Sequence, residues 1–306
     1  MNLPHLHCID LDQPHLEGFR QFISAWLYRD GDTSLLVDPG PLSTIPTLLE
    51  RLDHHGVNHL DYVLLTHIHI DHAGGTGALL QVFPDARVIC HPEGIPHLVS
   101  PEKLWQGSRK VLGPLAETYG EIGAVPADKI HFDDTLAGGA IRVFQTPGHA
   151  AHHLSYLVDD LLFAGEVAGV RNDVAGGIYM RPATPPRFIL QVALDSIDRM
   201  LPLAPKRMVF AHHGLVDDAP RHLQIGRDQL RLWVRGAVET IHSDLDEREA
   251  RLMNWLLAHD PIFSNLSKLP TDIQARERYF LGNTFKGIMD YVDRLSTLEQ
   301  EQLRSF

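Results

Sequence analysis

An α/β fold is the expectation for this chain: two β-sheets packed face to face between layers of helices, a four-layer αββα sandwich, followed by a C-terminal helical appendage. Three observations carry it. Apolar runs of strand length come in two blocks, separated by a helical stretch. Four of those runs stop at a turn that bears a histidine or a carboxylate. Beyond Gly214 the strand signals give way to helix-period patterns.

The elements follow in order. Phe22 to Tyr28 and Thr33 to Val37 flank Arg29-Asp30-Gly31-Asp32, a hairpin signal. A helix is expected over Ile45 to His55, capped near Ser43 or Thr44 and stopped by Gly56. Asp61 to Leu65 reads as a strand, Ala73 to Phe83 as a second helix and Arg87 to Cys90 as a buried strand. Pro92 to Val125 is rich in polar helix formers and reads as a helical insertion. Strands return from Lys129 to Val158, and Asp159-Asp160 turns the chain into Leu161 to Ala164. The Gly- and Pro-rich segment Gly169 to Pro186 predicts an irregular loop over the site, with Tyr179 and Arg181 meeting substrate; the alternative is an ordinary surface loop. Arg187 to Met200 closes this half with helix.

Residues 1–214 are expected to form the catalytic domain and residues 215–306 a helical extension. Asp218 to His242 and Asp244 to His259 read as helices, the second opening on Asp244 and Glu247 as a capping box. The last, Asp272 to Leu295, carries an apolar stripe with Gly282 and Gly287 marking a bend. Core packing is the favoured role of that stripe. A cap over the substrate entrance, or a homodimer surface, is the alternative.

The densest signal is Thr66-His67-Ile68-His69-Ile70-Asp71-His72, directly after the Asp61–Leu65 run. Side chains at i, i+2, i+4 and i+5 of a tight loop can converge on two adjacent ions, and imidazole with carboxylate suits zinc, iron or manganese. His149 follows Ile141–Phe144, Glu166 follows Leu161–Phe163, and His212-His213 follows Met208–Phe210. Each sits on the turn after an apolar run, which gathers distant residues at one rim of a sheet. His152 and His153 read as residues that orient the ligands from behind, or as the start of a helix, rather than as ligands.

The order H-x-H-x-D-H, Gly-His, a carboxylate after Gly, and a late His near Gly resembles the metallo-β-lactamase-fold hydrolase superfamily over roughly residues 20 to 214. The resemblance implies His67, His69 and His149 on a first metal, and Asp71, His72 and a late histidine on a second. His212 is favoured over His213 for that late position. Glu166 stands where the family usually has a bridging Asp, and its longer arm leaves open whether one ion or two are held. Asp38 resembles the early Asp-x-Gly strand end that supports such a site.

The expected cofactors are two divalent ions, zinc first, with iron or manganese as alternatives. Such an ion lowers the pKa of bound water toward neutrality, so no Ser or Cys nucleophile is required. Asp71 is the catalytic candidate, holding the hydroxide and passing its proton to the leaving group. Hydrolysis of an ester, thioester, lactone or similar bond is the leading reading. A persulfide-dioxygenase-like oxidoreductase with one iron is the alternative, and a phosphodiesterase or nuclease ranks lower.

Charge and cysteine usage bound the rest. Against 27 basic residues stand 39 acidic ones, a formal charge of −12, which disfavours nucleic acid as a partner and leaves a small-molecule substrate. Cys8 and Cys90 lie far apart, so no disulfide framework is expected. No leader pattern and no apolar run of ~18 residues stands out, so the expectation is a cytoplasmic chain without a membrane partner.

Overall fold

The computed structural model describes residues 5–31, 33–242 and 245–304, without the side chains of Leu245 and Asp246. Asp32 of the hairpin turn and Asp244 of the expected capping box lie outside the described residues. The first sheet runs in chain order: β1 (Leu6–Asp10), β2 (Ser24–Asp30), β3 (Thr33–Val37), β4 (Tyr62–Leu64), β5 (Arg87–Ile89) and β6 (Ile130–His131). β1 to β3 pair antiparallel, and β3 to β6 pair parallel.

The second half holds β7 (Thr135–Leu136), β8 (Ile141–Gln145), β9 (Leu154–Val158), β10 (Leu161–Phe163), a separate hairpin of β11 (Val170–Val174) and β12 (Gly177–Arg181), then β13 (Arg207–Val209) and β14 (Leu215–Val216). Its sheet has the order β14-β13-β10-β9-β8-β7, with β10 and β13 parallel and the other neighbours antiparallel.

The alternation of side chains along each strand sorts them into layers. Leu35, Val37, Leu64 and Ile89 join Leu154, Tyr156, Phe163 and Val209 in one buried cluster between the sheets. Their neighbours point outward: Leu36, Val63, Leu65 and Val88 pack in a second cluster with Leu48 and Leu52 of helix Ile45–His54. Leu157, Leu162 and Met208 pack in a third with Leu194 and Ile197 of helix Leu190–Met200. Helix, sheet, sheet, helix is therefore the layer order, the expected αββα sandwich.

The C-terminal helices Ala219–Glu239, Leu245–His259 and Thr271–Val292 follow the sheets. Trp233, Leu252, Leu256, Phe285, Ile288 and Val292 lie in the same buried cluster as the outer face of the second sheet, so the apolar stripe of the last long helix is core. That helix is continuous through Gly282 and Gly287. A Cβ at Gly287 would lie 1.9 Å from the Thr184 carbonyl oxygen, so the glycine permits a close helix–backbone approach.

Two local expectations need correction. Helix Ile45–His54 has no side-chain cap from Ser43 or Thr44; the chain enters it through the 3₁₀ turn Leu42–Thr44, with Pro46 in its first turn. The expected second helix is two short ones, Ile70–Ala73 and Thr76–Val82, because the metal-loop residues take up the first turn. The insertion is helical as expected, over Ile95–Val99, Glu102–Leu112 and Pro114–Tyr119.

Candidate metal centre and active site

Strand direction explains why distant residues meet. β3 and β4 run parallel, so Asp38 and the His67 loop leave the first sheet at one rim. β10 and β13 run parallel, and two antiparallel steps give β8 the same sense, so His149, Glu166 and His212 leave the second sheet together. The two rims are tied across the sandwich. Tyr156 donates its hydroxyl to the Leu65 carbonyl at 2.6 Å, and Trp26 donates Nε1 to the Phe210 carbonyl at 3.0 Å.

All seven expected metal residues come together. Ligand atoms of His67, His69, His149 and Glu166 lie within 4.8 Å of one another, as do those of Asp71, His72 and His212. His69 Nδ1 is 2.9 Å from His67 Nε2 and 3.0 Å from His149 Nε2. Glu166 Oε2 lies 2.9 Å from His149 Nε2 and 3.4 Å from His67 Nε2, while Oε1 lies 3.2 Å from His212 Nε2. One carboxylate thus faces both groups. His72 Nε2 stands 3.5 Å from Asp71 Oδ2 and 3.8 Å from Glu166 Oε2, buried and without a hydrogen bond. His213 turns away toward Asp10.

The hydrogen bonds behind the ring aim its lone pairs inward. The Thr66 hydroxyl donates to Asp38 Oδ2 at 2.6 Å, so its oxygen is left to accept from His67 Nδ1 at 3.0 Å. His72 Nδ1 donates to Asp38 Oδ2 at 3.1 Å, and His149 Nδ1 to the Ala183 carbonyl at 3.0 Å. Each of these imidazoles thereby turns Nε2 to the centre, the atom that would ligate a metal. Asp38 also accepts from the Thr66 amide at 2.8 Å, and it holds a positive φ of 51° to do so.

His153 fixes Glu166. Its Nε2 accepts from the Glu166 amide at 3.0 Å, which puts the proton on Nδ1, donated to Thr146 Oγ1 at 2.8 Å. Burial and the neighbouring His149 push this imidazole down to about 3, so it stays neutral and can accept. The approach is so close that a Cβ at Gly165, where φ is +58°, would lie 2.2 Å from His153 Nε2. Only glycine fits before Glu166.

Charge in the ring follows from burial and neighbours. Burial, and after it the other imidazoles, hold His67 and His69 well below the usual histidine range. Burial alone would raise Glu166, but His149 and His212 outweigh it and keep the carboxyl ionised, well below its usual range. Burial also works to lower His72, yet Asp71, Asp38 and Glu166 push it up to about 10. Imidazole nitrogens gathered around an ionised carboxylate, with a buried nitrogen lacking a hydrogen bond, are a donor set that fits divalent cations.

The expectation for Tyr179 and Arg181 is overturned. They stand on β12, buried, not on a loop over the site. Arg181 Nε donates to Glu277 Oε2 at 2.6 Å, the Tyr179 hydroxyl donates to the same oxygen at 3.2 Å, and Arg276 Nη2 donates to Glu277 Oε1 at 3.0 Å. The carboxylate partner lies 96 positions away from Arg181 on the last long helix, beyond the reach of local pattern reading. Sequence reasoning also missed Phe22, stacked on His212 with centroids 4.1 Å apart and planes 6° off parallel. Arg276 covers the other side of that ring at 4.2 Å.

Known proteins point the same way. Residues 18–212, more than half of the chain, match the metallo-beta-lactamase superfamily. Over 209 residues the chain is 37% identical to the metallo-beta-lactamase fold-containing protein ST1585 of Sulfurisphaera tokodaii, covering 65% of this chain and 75% of that one. The crystal structure of ST1585, an archaeal metallo-beta-lactamase superfamily protein from Sulfolobus tokodaii, aligns with a TM-score of 0.66 at 25% identity, covering 95% of this chain and 99% of that one. A hydroxyacylglutathione hydrolase of Aeromonas hydrophila is 33% identical over 141 residues, 46% of this chain and 44% of the relative, so under half of that enzyme's length is matched. The chain belongs to the metallo-beta-lactamase superfamily and is a metallo-hydrolase of that group.

Proposed function

We propose that the chain hydrolyses an acyl ester or thioester of a small molecule at a centre of two divalent ions, zinc first, with iron or manganese as alternatives. His67, His69 and His149 would hold the first ion and Asp71, His72 and His212 the second. The single observation that carries this reading is the placement of Glu166, one oxygen in each group. The His153 contact that sets the backbone of Glu166 supports the same reading, since the side chain reaches both groups from there.

When bound, the ions supply an acidic water and polarise the substrate oxygen. The residues do the rest. Glu166 keeps the two groups at fixed spacing, and Asp38 with Thr66 holds the imidazoles in the ligating tautomer. Asp71, partly exposed at the rim, accepts a proton and returns it to the leaving group. Thioesters head the substrate list because hydroxyacylglutathione hydrolases are among the relatives.

The test is a panel of thioesters, esters, lactones and phosphodiesters, assayed with zinc-loaded and chelator-treated protein. Turnover of a thioester or ester that vanishes on chelation and returns with zinc is the expected result. Turnover confined to phosphodiesters, or oxygen consumption with one iron per chain, would replace it.

A further inference from the structure

Among the described residues, one other group of side chains brings metal-type ligand atoms together: Cys8, Asp10 and His213, whose donor atoms lie within 4.8 Å of one another. Cys8 and Asp10 are two apart on β1 and so share a face of that edge strand. His213 comes from the turn between β13 and β14, in the other sheet. The group therefore bridges the two sheets where their edges meet.

Cys8 Sγ is 3.6 Å from Asp10 Oδ1, and His213 Nδ1 is 3.4 Å from the same oxygen. Metal bonds of about 2.0 to 2.3 Å in a tetrahedron separate ligand atoms by roughly 3.3 to 3.8 Å. Both spacings match, and the third pair, Cys8 and His213, has its ligand atoms within 4.8 Å. The His213 Nδ1 atom is shut off from solvent and has no hydrogen-bond partner, although Asp10 faces it. The Cys8 thiol is exposed, so an ion can reach it. One sulfur, one imidazole nitrogen and one carboxylate oxygen suit zinc and do not suit calcium or magnesium.

We propose that Cys8, Asp10 and His213 form a separate site for a thiophilic divalent cation such as zinc, with a fourth position left to water. The ion ties the edge strand of the first sheet to the turn that carries His212. The link to the catalytic centre is short. The Ser24 hydroxyl donates to the His212 carbonyl oxygen at 2.6 Å and lies 3.3 Å from Asp10 Oδ1, so the two sites are neighbours through one side chain. Binding releases the thiol proton, since the thiolate is the ligand.

Cobalt(II) distinguishes this site from the central one, whose donors are all nitrogen and oxygen. A cobalt–thiolate bond gives a charge-transfer band in the near ultraviolet that imidazole and carboxylate do not. The full chain titrated with cobalt(II) should develop that band, Cys90→Ser should keep it, and Cys8→Ser should lose it together with one bound ion per chain. His213→Ala should need at least about ten-fold more cobalt to reach the same band. No band in the parent chain, or a band that survives Cys8→Ser, would overturn the proposal. Both results are independent of whether the central donors hold one ion or two.

Discussion

Two buried clusters of charge, one around Glu166 and one in which Glu277 meets the second strand of the Val170–Arg181 hairpin, are built on opposite principles. Around Glu277 the account closes: two guanidinium groups and a phenol donate to the two oxygens of one carboxylate. Around Glu166 it does not. Imidazole nitrogens crowd one another at 2.9 and 3.0 Å, the other nitrogens of His67 and His149 already bonded to oxygen, and His72 Nε2 and His212 Nδ1 are buried without a hydrogen bond. A satisfied cluster is a structural joint, whereas lone pairs converging on one point need a cation. The comparison explains why Arg181, the last residue of β12 and rich in donor capacity, is no substrate anchor.

Predictions can break this contrast from either side. The largest effect should come from the open cluster. Asp71→Asn should keep the fold and the first ion, hold the second more weakly, and lose about 10² to 10⁴-fold in kcat even at saturating metal, because an amide accepts no proton. His149→Ala should lose bound metal and, with it, activity; metal analysis beside a thermal melt checks both. Unchanged metal content would remove His149 from the centre.

In the closed cluster the effects should reverse, with stability lost and metal kept. Glu277→Ala strands Arg181 and Arg276 in the interior, and a cost of about 3 to 5 kcal/mol is expected in denaturant unfolding. Bound metal per folded chain should stay at the parental value. Acid gives a further handle. Burial would raise the Glu277 carboxyl, but Arg181 and Arg276 outweigh it and hold it below its ordinary value. The unfolded chain takes up that proton near pH ~4.3 and the folded chain does not. Its contribution is therefore whole above that pH and fades as the pH falls through the folded value. The stability gap between parent and Glu277→Gln should narrow over this acid range, and a gap that widens there would contradict the ionised assignment.

The smallest change is the most discriminating. Tyr179→Phe removes one hydrogen bond to a charged acceptor and should cost about 1.5 to 3 kcal/mol at most, with kcat/KM unchanged. A ten-fold loss of kcat/KM with the melt unaffected would return Tyr179 to the substrate.

How legible the two clusters were in the sequence differs for the same reason. The open one is written locally: His67, His69, Asp71 and His72 crowd one loop, and His149, Glu166 and His212 each close an apolar run, so strand periodicity alone predicted the rim where they meet. The layer order followed from that periodicity as well. What holds the ligands is not local. Phe22 against His212, Arg276 over Phe22 and Glu277 under Arg181 join positions far apart, and no spacing announces them. His153 was anticipated as a supporting or helix-start residue; it precedes strand β9 instead of a helix, and its grip on the Glu166 amide required the fold. Gly and Pro density misled at Gly169–Pro186, where Ala175 and Gly176 make a hairpin turn between two strands rather than a loop over the site.

The central claim is that Glu166 joins two metal groups into one centre. Calorimetric titration of zinc into chelator-treated protein tests it most directly, run in a Cys8→Ser chain so that only the central donors are counted. Two ions per chain are predicted, and Glu166→Gln should weaken the second far more than the first, because a neutral amide replaces an anion shared by two cations. Glu166→Asp should also weaken it, since the shorter arm falls away from one group while His153 holds the backbone in place. Two ions bound as tightly in both variants as in the parent would contradict the account.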